Sequence, residues 1–210
     1  MKLLLVAATR SELALLISHF NLSDGDFMET DEFDLLLTGV GMTATAFALG
    51  RQLSDKYNLV LNLGIAGCFD NSISLGAVLN IVTDTFAELG AENREKFIAI
   101  DDLGFGKSSY TAYHHLLSEQ ISALPKVKGI TVNRVHGHAE SIAKIVDRLH
   151  PVTESMEGAA VLYCCSELGI PCLQVRSISN YVEPRNRDNW KITLALKNLN
   201  EWAIGFLTNS

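Results

Sequence analysis

The sequence has no basic run and no surplus of positive charge. Lys and Arg number 17 against 24 Asp and Glu, a net charge of −7 over 210 residues. That excludes a nucleic-acid groove and adhesion to anionic membranes as working readings. A small substrate stays open, because the local field of a pocket need not follow net charge. Cysteine is scarce. Cys68, Cys164, Cys165 and Cys172 form no Cys-x-x-Cys pair, and Cys164 and Cys165 are neighbours in one expected helix. A disulfide framework is therefore not expected, and a reducing cytoplasm fits. The apolar opening, Met1 to Ala8, is too short for a signal segment with its cleavage site and too short to span a bilayer. The chain also lacks internal repeats, low-complexity tracts and any linker that would split it.

Catalytic signatures are absent as well. None of the six histidines has the i,i+4 partner and nearby carboxylate of a helical metal site, so no metal or cofactor is implied. His136-Gly137-His138 suits a pocket mouth and a surface loop equally. No serine lies in a Gly-x-Ser-x-Gly setting, which excludes a nucleophile elbow. Gly39-Val40-Gly41-Met42-Thr43-Ala44 matches the dinucleotide fingerprint only formally. It does not follow the first strand, and the next strand ends without the acidic residue that would hold a ribose. A tight strand-to-helix turn is the better reading.

What is present is a globular composition, 48% hydrophobic and 20% charged. The length makes one domain over residues 1–210 the default. Lys2 to Ala8 is a continuous apolar run, as in a strand covered on both faces. Thr9-Arg10-Ser11-Glu12 turns the chain into a helix, Leu13 to Phe20, with Thr9 or Ser11 as N-cap. Strands follow at 34–38, 59–63, 76–83, 128–135 and 172–178. Helices are expected at 42–56, 139–149, 158–168 and from about 188 to 207. Residues 110–124 read as partly helical, and 86–109 as an irregular excursion over a pocket. Strands alternating with helices, with glycines at the junctions, mean a mostly parallel α/β sheet.

Ligands of such sheets bind where strand C-termini and helix N-termini meet. Glu154-Ser155-Met156-Glu157-Gly158 opens one helix there. Arg176-Ser177-Ile178-Ser179-Asn180 ends one strand there. Glu12 follows the first strand in the same way. Each carboxylate has an ordinary reading as a helix-start charge favoured by the helix dipole. Two of them on one edge, beside Asn180, point to shared chemistry.

These residues resemble, in order and over essentially the whole chain, the purine nucleoside phosphorylase and nucleosidase family. The opening through Glu12 resembles the methylthioadenosine/adenosylhomocysteine nucleosidases, whose water-activating Glu falls on Glu12. Gly64-Ile65-Ala66-Gly67 resembles the Gly-Ser-Ala-Gly loop, with Ile65 for Ser, and would place Ala66 and Gly67 at the substrate. Ser155-Met156-Glu157 resembles Glu-Met-Glu, with Ser155 for the first Glu. Glu157 then grips the ribose hydroxyls. Arg176 to Asn180 resembles Arg-Ala-Ile-Ser-Asp, with Asn180 for the Asp that serves the purine N7. Trp190 falls where an aromatic residue covers the pocket.

The resemblance implies a three-layer nucleoside phosphorylase-like fold with a central mixed, mostly parallel sheet flanked by helices. It implies a purine nucleoside as substrate, no cofactor, and a homodimer or larger homo-oligomer. The departures at residues 180–190 resemble a hydrolytic branch that releases hypoxanthine. An amide both donates and accepts hydrogen bonds, so Asn180 suits a 6-oxo oxygen beside a protonated N7. Adenine would set its amino group against the amide donor, a mismatch of about 1–3 kcal/mol. The substrate of that branch carries a carboxylate at its far end, for which Arg134, His136, His138 or Arg185 is the candidate partner. Three rivals share parts of this pattern: a methylthioadenosine-type nucleosidase, a phosphorylase, and a nucleoside sensor without activity.

Overall fold

The computed structural model of the chain describes residues 2–94, 96–115 and 118–208. Strand β1 (Leu3–Ala7) is followed by a 3-10 turn (Arg10–Leu13) and helix α1 (Ala14–His19). Then come β2 (Phe27–Glu29), β3 (Phe33–Leu37), α2 (Met42–Gln52), β4 (Leu59–Cys68) and β5 (Val78–Phe86). Strands β6 (Gly90–Asn93) and β7 (Lys96–Ala99) form a hairpin of their own. The order continues with β8 (Ser109–Thr111), α3 (Glu119–Ser122), β9 (Lys126–Thr131), α4 (Ala139–Leu149) and β10 (Thr153–Ser155). Last come α5 (Gly158–Leu168), β11 (Cys172–Tyr181) and α6 (Ile192–Thr208).

Nine strands make one mixed sheet in the order β10-β9-β5-β11-β4-β1-β3-β2, with β8 on β5. Pairing is parallel for β1–β3, β1–β4, β4–β11, β5–β9 and β9–β10. It is antiparallel for β2–β3, β5–β8, β5–β11 and β4–β10. The last pairing curls the end of the sheet back, because β10 bonds both β9 and the far end of β4. The exit of β10, at Met156 and Glu157, is thereby brought to the C-terminal ends of β4 and β11.

The apolar run of β1 is explained by helices on both faces. Leu3, Leu5 and Ala7 pack in the core that includes Leu16, Leu199, Ala203 and Phe206, from α1 and α6. Leu4 and Val6 pack in the core with Leu49, Val161, Leu162 and Cys165, from α2 and α5. Side chains alternate across a strand, so a strand sandwiched between helix layers is apolar at every position.

Several elements differ from the sequence-based expectation. Strand β4 does not stop at Leu63 but runs through Gly64 to Cys68, paired with β11 as far as Tyr181. Helix α2 ends at Gln52 rather than 56. The chain peels away so that Lys56 and Tyr57 reach the buried Asp34, at 3.1 and 2.7 Å. Residues 86–109 contain the β6–β7 hairpin. They face α2 and α5 across a cleft, and none of the described ones lines the cavity at the ends of β1, β4, β10 and β11, so they do not cover it as expected. Of residues 110–124, expected to be partly helical, only Glu119–Ser122 are helical, as α3, and residues 110 and 111 end β8; residues 116 and 117 lie outside the described residues. The last helix begins at Ile192, after a 3-10 turn (Arg187–Asn189). Two short strands, β2 and β10, carry too few residues to show a period.

The N-terminus of α5 rests on a buried polar cluster. Ala159 N donates to Thr131 Oγ1 (2.7 Å), Thr131 Oγ1 donates to Asp84 Oδ1 (2.8 Å), and Gln174 Nε2 donates to Asp84 Oδ2 (2.8 Å). Burial pushes the Asp84 carboxyl up to about 6, against the pull of these donors and of Arg176. A side chain at 158 has no room here: a Cβ would stand 2.1 Å from Asp84 Oδ2 and 2.3 Å from Gln174 Nε2. Gly158→Ala is therefore expected to lower stability by about 1–3 kcal/mol, since neither neighbour is free to move. A denaturant midpoint unchanged from that of the unmodified protein would contradict this packing.

Candidate active site

The site is built from the ends of β1, β4, β10 and β11. Just past β1, Glu12 is fixed by its own turn. Thr9 N and Thr9 Oγ1 donate to Glu12 Oε2 at 3.0 and 3.2 Å. The Thr-x-x-Glu spacing is that of a capping box, in which the fourth residue reaches back to the first. The other oxygen, Oε1, accepts from Ile65 N of β4 at 3.2 Å. Gly64 makes this approach possible, because a Cβ there would stand 2.9 Å from Glu12 Oε1 and 3.2 Å from Arg176 Nη1.

Beneath Glu12 lies Arg176 of β11, only 2% exposed. Its Nη1 donates to Asn62 Oδ1 and to Val175 O, at 3.2 and 3.3 Å. Its Nε is buried without a partner among the described residues. Burial pushes the Glu12 carboxyl above its ordinary value; the Arg176 guanidinium draws it down, and the Glu157 carboxylate pushes it further up. Glu12 and Glu157 therefore feel each other directly.

Glu157 is the N-cap of α5 and accepts from Gly41 N, at the N-cap of α2, through Oε1 at 2.9 Å. Asn180 stands near the end of β11, where a bulge leaves Ser179 unpaired with β4 and sets Asn180 opposite Gly67. Asn180 Oδ1 accepts from Ser179 Oγ (2.8 Å) and Nδ2 donates to Tyr181 O (3.0 Å). An amide has two acceptor positions and two N–H groups, so one of each stays free. Gly67 leaves room for the amide and for Val182, for a Cβ there would be 3.3 Å from Asn180 Nδ2 and 2.9 Å from Val182 Cγ2. Lys191 N donates to Ser179 O at 2.7 Å and holds the preceding Trp190 over this end of the cleft.

One cavity of about 290 Å³ unites these groups. It is lined by all eight residues expected from the sequence: Glu12, Ala66, Gly67, Ser155, Met156, Glu157, Asn180 and Trp190. The Ser155 hydroxyl is buried there without a partner among the described residues. Sequence reasoning named no substrate contact for Thr9, Val40, Val135, Glu154, Ile192 or Leu196, which also line it. Arg176 was read as part of a motif and not as a charge under the floor. The signal for Glu154 was its place in the Glu-Ser-Met-Glu stretch, but its partner His136 is 18 residues away and only the fold joins them.

A family model described as the phosphorylase superfamily matches residues 32–206. The chain is 35% identical to the futalosine hydrolase of Streptomyces coelicolor over 84% of its length and 79% of that protein. It is 26% identical to the futalosine hydrolase of Thermus thermophilus over 80% of this chain and 77% of that one. Among solved structures it is similar to the 5′-methylthioadenosine/S-adenosylhomocysteine nucleosidase of Helicobacter pylori, with a TM-score of 0.86 at 15% identity over 100% and 99% of the two chains. The futalosine hydrolase of Helicobacter pylori gives a TM-score of 0.84 at 14% identity, over 100% and 98%. These two structural likenesses bear on the fold.

The raised Glu12 carboxyl has a consequence for stability. The folded protein holds this proton more tightly than the unfolded chain, whose value is near 4.5. The contribution is thus fully present below that value and is lost as pH rises through the folded one. In Glu12→Gln the group cannot ionise. The unfolding free energy of the unmodified protein minus that of Glu12→Gln should fall as pH rises above about 4.5, and then level off. A difference that rises with pH over this range, followed by denaturant melts, would contradict the burial described.

Proposed function

The chain belongs to the phosphorylase superfamily, and we propose that it hydrolyses the N-ribosidic bond of futalosine, releasing hypoxanthine and leaving dehypoxanthine futalosine for menaquinone biosynthesis. The observation that carries this reading is the single cavity shared by Glu12, Glu157 and Asn180. The curated relatives of that name support the substrate.

In the proposed mechanism the bond breaks through an oxocarbenium-like transition state, with positive charge building on the sugar. Glu157 holds the 2′- and 3′-hydroxyls. Charge-assisted hydrogen bonds of this kind contribute about 1.5–3 kcal/mol each, and the part that strengthens in the transition state accelerates the reaction. Glu12 orients the attacking water and takes its proton, and a raised carboxyl is the better base. Glu12 and Glu157 together stabilise the cationic sugar between them. Met156 and Trp190 pack on the substrate. The free N–H and free acceptor of Asn180 meet O6 and the protonated N7 of the leaving base. An amide is too weak an acid to supply that proton, so it reaches N7 through water.

This orientation moves the expected carboxylate partners. Arg134, His136, His138 and Arg185 border cavities of about 410 and 60 Å³ reached past Asn180 and Val135, at the base end. The 5′ side of the main cavity is left to Thr9, Ser11, Val40, Ile192 and Leu196. Among the described residues no helix is long and apolar enough to cross a membrane. We place the enzyme in the cytoplasm, where its free cysteines stay reduced.

The same reading makes the protein a homodimer. Phe47 of α2 is 68% exposed and Phe105 is 80% exposed. A cleft of about 900 Å³ with apolar walls lies between α2, α5 and residues 86–110. Exposed apolar patches of this kind mark interaction surfaces. Val40, at the start of α2, is 58% exposed and also lines the nucleoside cavity, so a second copy seated here closes its 5′ side. Sedimentation at micromolar concentration should give about twice the chain mass of 23.0 kDa; a monomer under those conditions would remove this part of the proposal.

Product analysis tests the activity. Incubation with futalosine should release hypoxanthine and a free sugar, with no dependence on phosphate. Methylthioadenosine should be a far poorer substrate. Faster release of adenine from methylthioadenosine, or a sugar 1-phosphate formed in phosphate buffer, would overturn the reading.

A further inference from the structure

A buried histidine–carboxylate hydrogen-bonded pair outside the mechanism above borders the same cleft. Glu154 of β10 has a side chain only 3% exposed, and that of His136 is 15% exposed. Glu154 Oε1 accepts from His136 N at 2.9 Å, and Oε2 is bonded to His136 Nδ1. Both oxygens are thus turned on one residue. The ring packs edge-on against Phe69, with centroids 6.4 Å apart. Glu154 lines the nucleoside cavity together with Asn180. It also lines, with His136, Asn180 and Gly67, the small adjoining cavity at the base end.

A carboxylate only accepts hydrogen bonds, so it fixes the proton of the neutral imidazole on Nδ1. Nε2 is then an acceptor. It has no hydrogen bond within the described residues and is not sealed from the space that the ring borders. On the reading given above, Asn180 engages N7 and O6 of the base. The next ring atom beyond O6 is N1. In hypoxanthine N1 carries a hydrogen; in adenine it carries a lone pair. Glu154 and His136 are among the side chains that line the small cavity beside Asn180.

We propose that His136, held in one tautomer by Glu154, is a second base-reading residue whose Nε2 accepts the N1–H of a 6-oxopurine. Asn180 and His136 would then read three consecutive positions of the base. A 6-aminopurine is mismatched at the 6-substituent and again at N1, where two lone pairs face each other. The pair thus acts on specificity, separately from bond cleavage. This inference rests on the assignment of a 6-oxopurine substrate and names what in the chain selects it.

The test is the binding of free bases by calorimetry, which needs no turnover. Hypoxanthine, 1-methylhypoxanthine and adenine are titrated into the unmodified protein, into His136→Gln and into His136→Leu. Loss of one matched buried hydrogen bond corresponds to roughly tenfold to a hundredfold in affinity. The unmodified protein should bind hypoxanthine tighter than 1-methylhypoxanthine by that factor. His136→Gln, whose amide oxygen reaches the place of Nε2, should keep most of the preference. His136→Leu should weaken hypoxanthine by the same factor and lose the preference. The inference is overturned if the unmodified protein binds both oxo-bases equally, or if His136→Leu keeps its affinity for hypoxanthine. A protein that binds hypoxanthine and cleaves futalosine yet shows either result leaves the proposed function standing. Failure to bind any of the three bases removes both.

Discussion

A single buried guanidinium, that of Arg176, allows several carboxylates to share one end of the sheet. An isolated carboxylate away from water is costly, and two side by side also repel. Arg176 draws down both Glu12 and Asp84, each of which burial pushes up. Gly64 lets Glu12 and the guanidinium approach across one strand, and Gly158 lets α5 settle onto Asp84. The compensation is partial. Two carboxylates, Glu12 and Glu157, line the cleft over the one guanidinium of Arg176, an excess of negative charge there. That excess suits a sugar that becomes positive as its bond to the base breaks.

The fold around this charge arrangement is organised to bring strand ends together. The β4–β10 pairing curls the sheet, and the curl brings Glu157 and Asn180 to one cavity. Glu157 in turn accepts from the start of α2, the helix that carries Phe47. On the proposed reading, the grip on the ribose and the face for the second copy are thus linked through one backbone N–H.

Much of the site was legible in the sequence because its side chains stand at turns that follow apolar strands. Helices 139–149 and 158–168 have the bounds that their periodicity predicts. Glu12, Glu157 and Asn180 each stand at a strand end, where local signals are strong. The rest depended on contacts distant in the chain. Strand β4 passes through Gly64, Ile65, Ala66 and Gly67, a stretch that reads locally as a turn, because β11 pairs with it throughout. Strand β10 is three residues long and is defined by two neighbours. Residues 86–109 read as an excursion over the pocket, but the position of a hairpin is set by what it packs on. His136 and Glu154 became a pair only when β10 and the loop after β9 were placed side by side.

The central claim is that a carboxylate grips the sugar diol while an amide receives the base in the same cleft. A crystal structure of Glu12→Gln with intact futalosine tests it most directly. The account predicts both ribose hydroxyls on the Glu157 carboxylate and the Asn180 amide within hydrogen-bonding distance of O6 and N7. A purine seated away from Asn180, or a diol held by other residues, would contradict it.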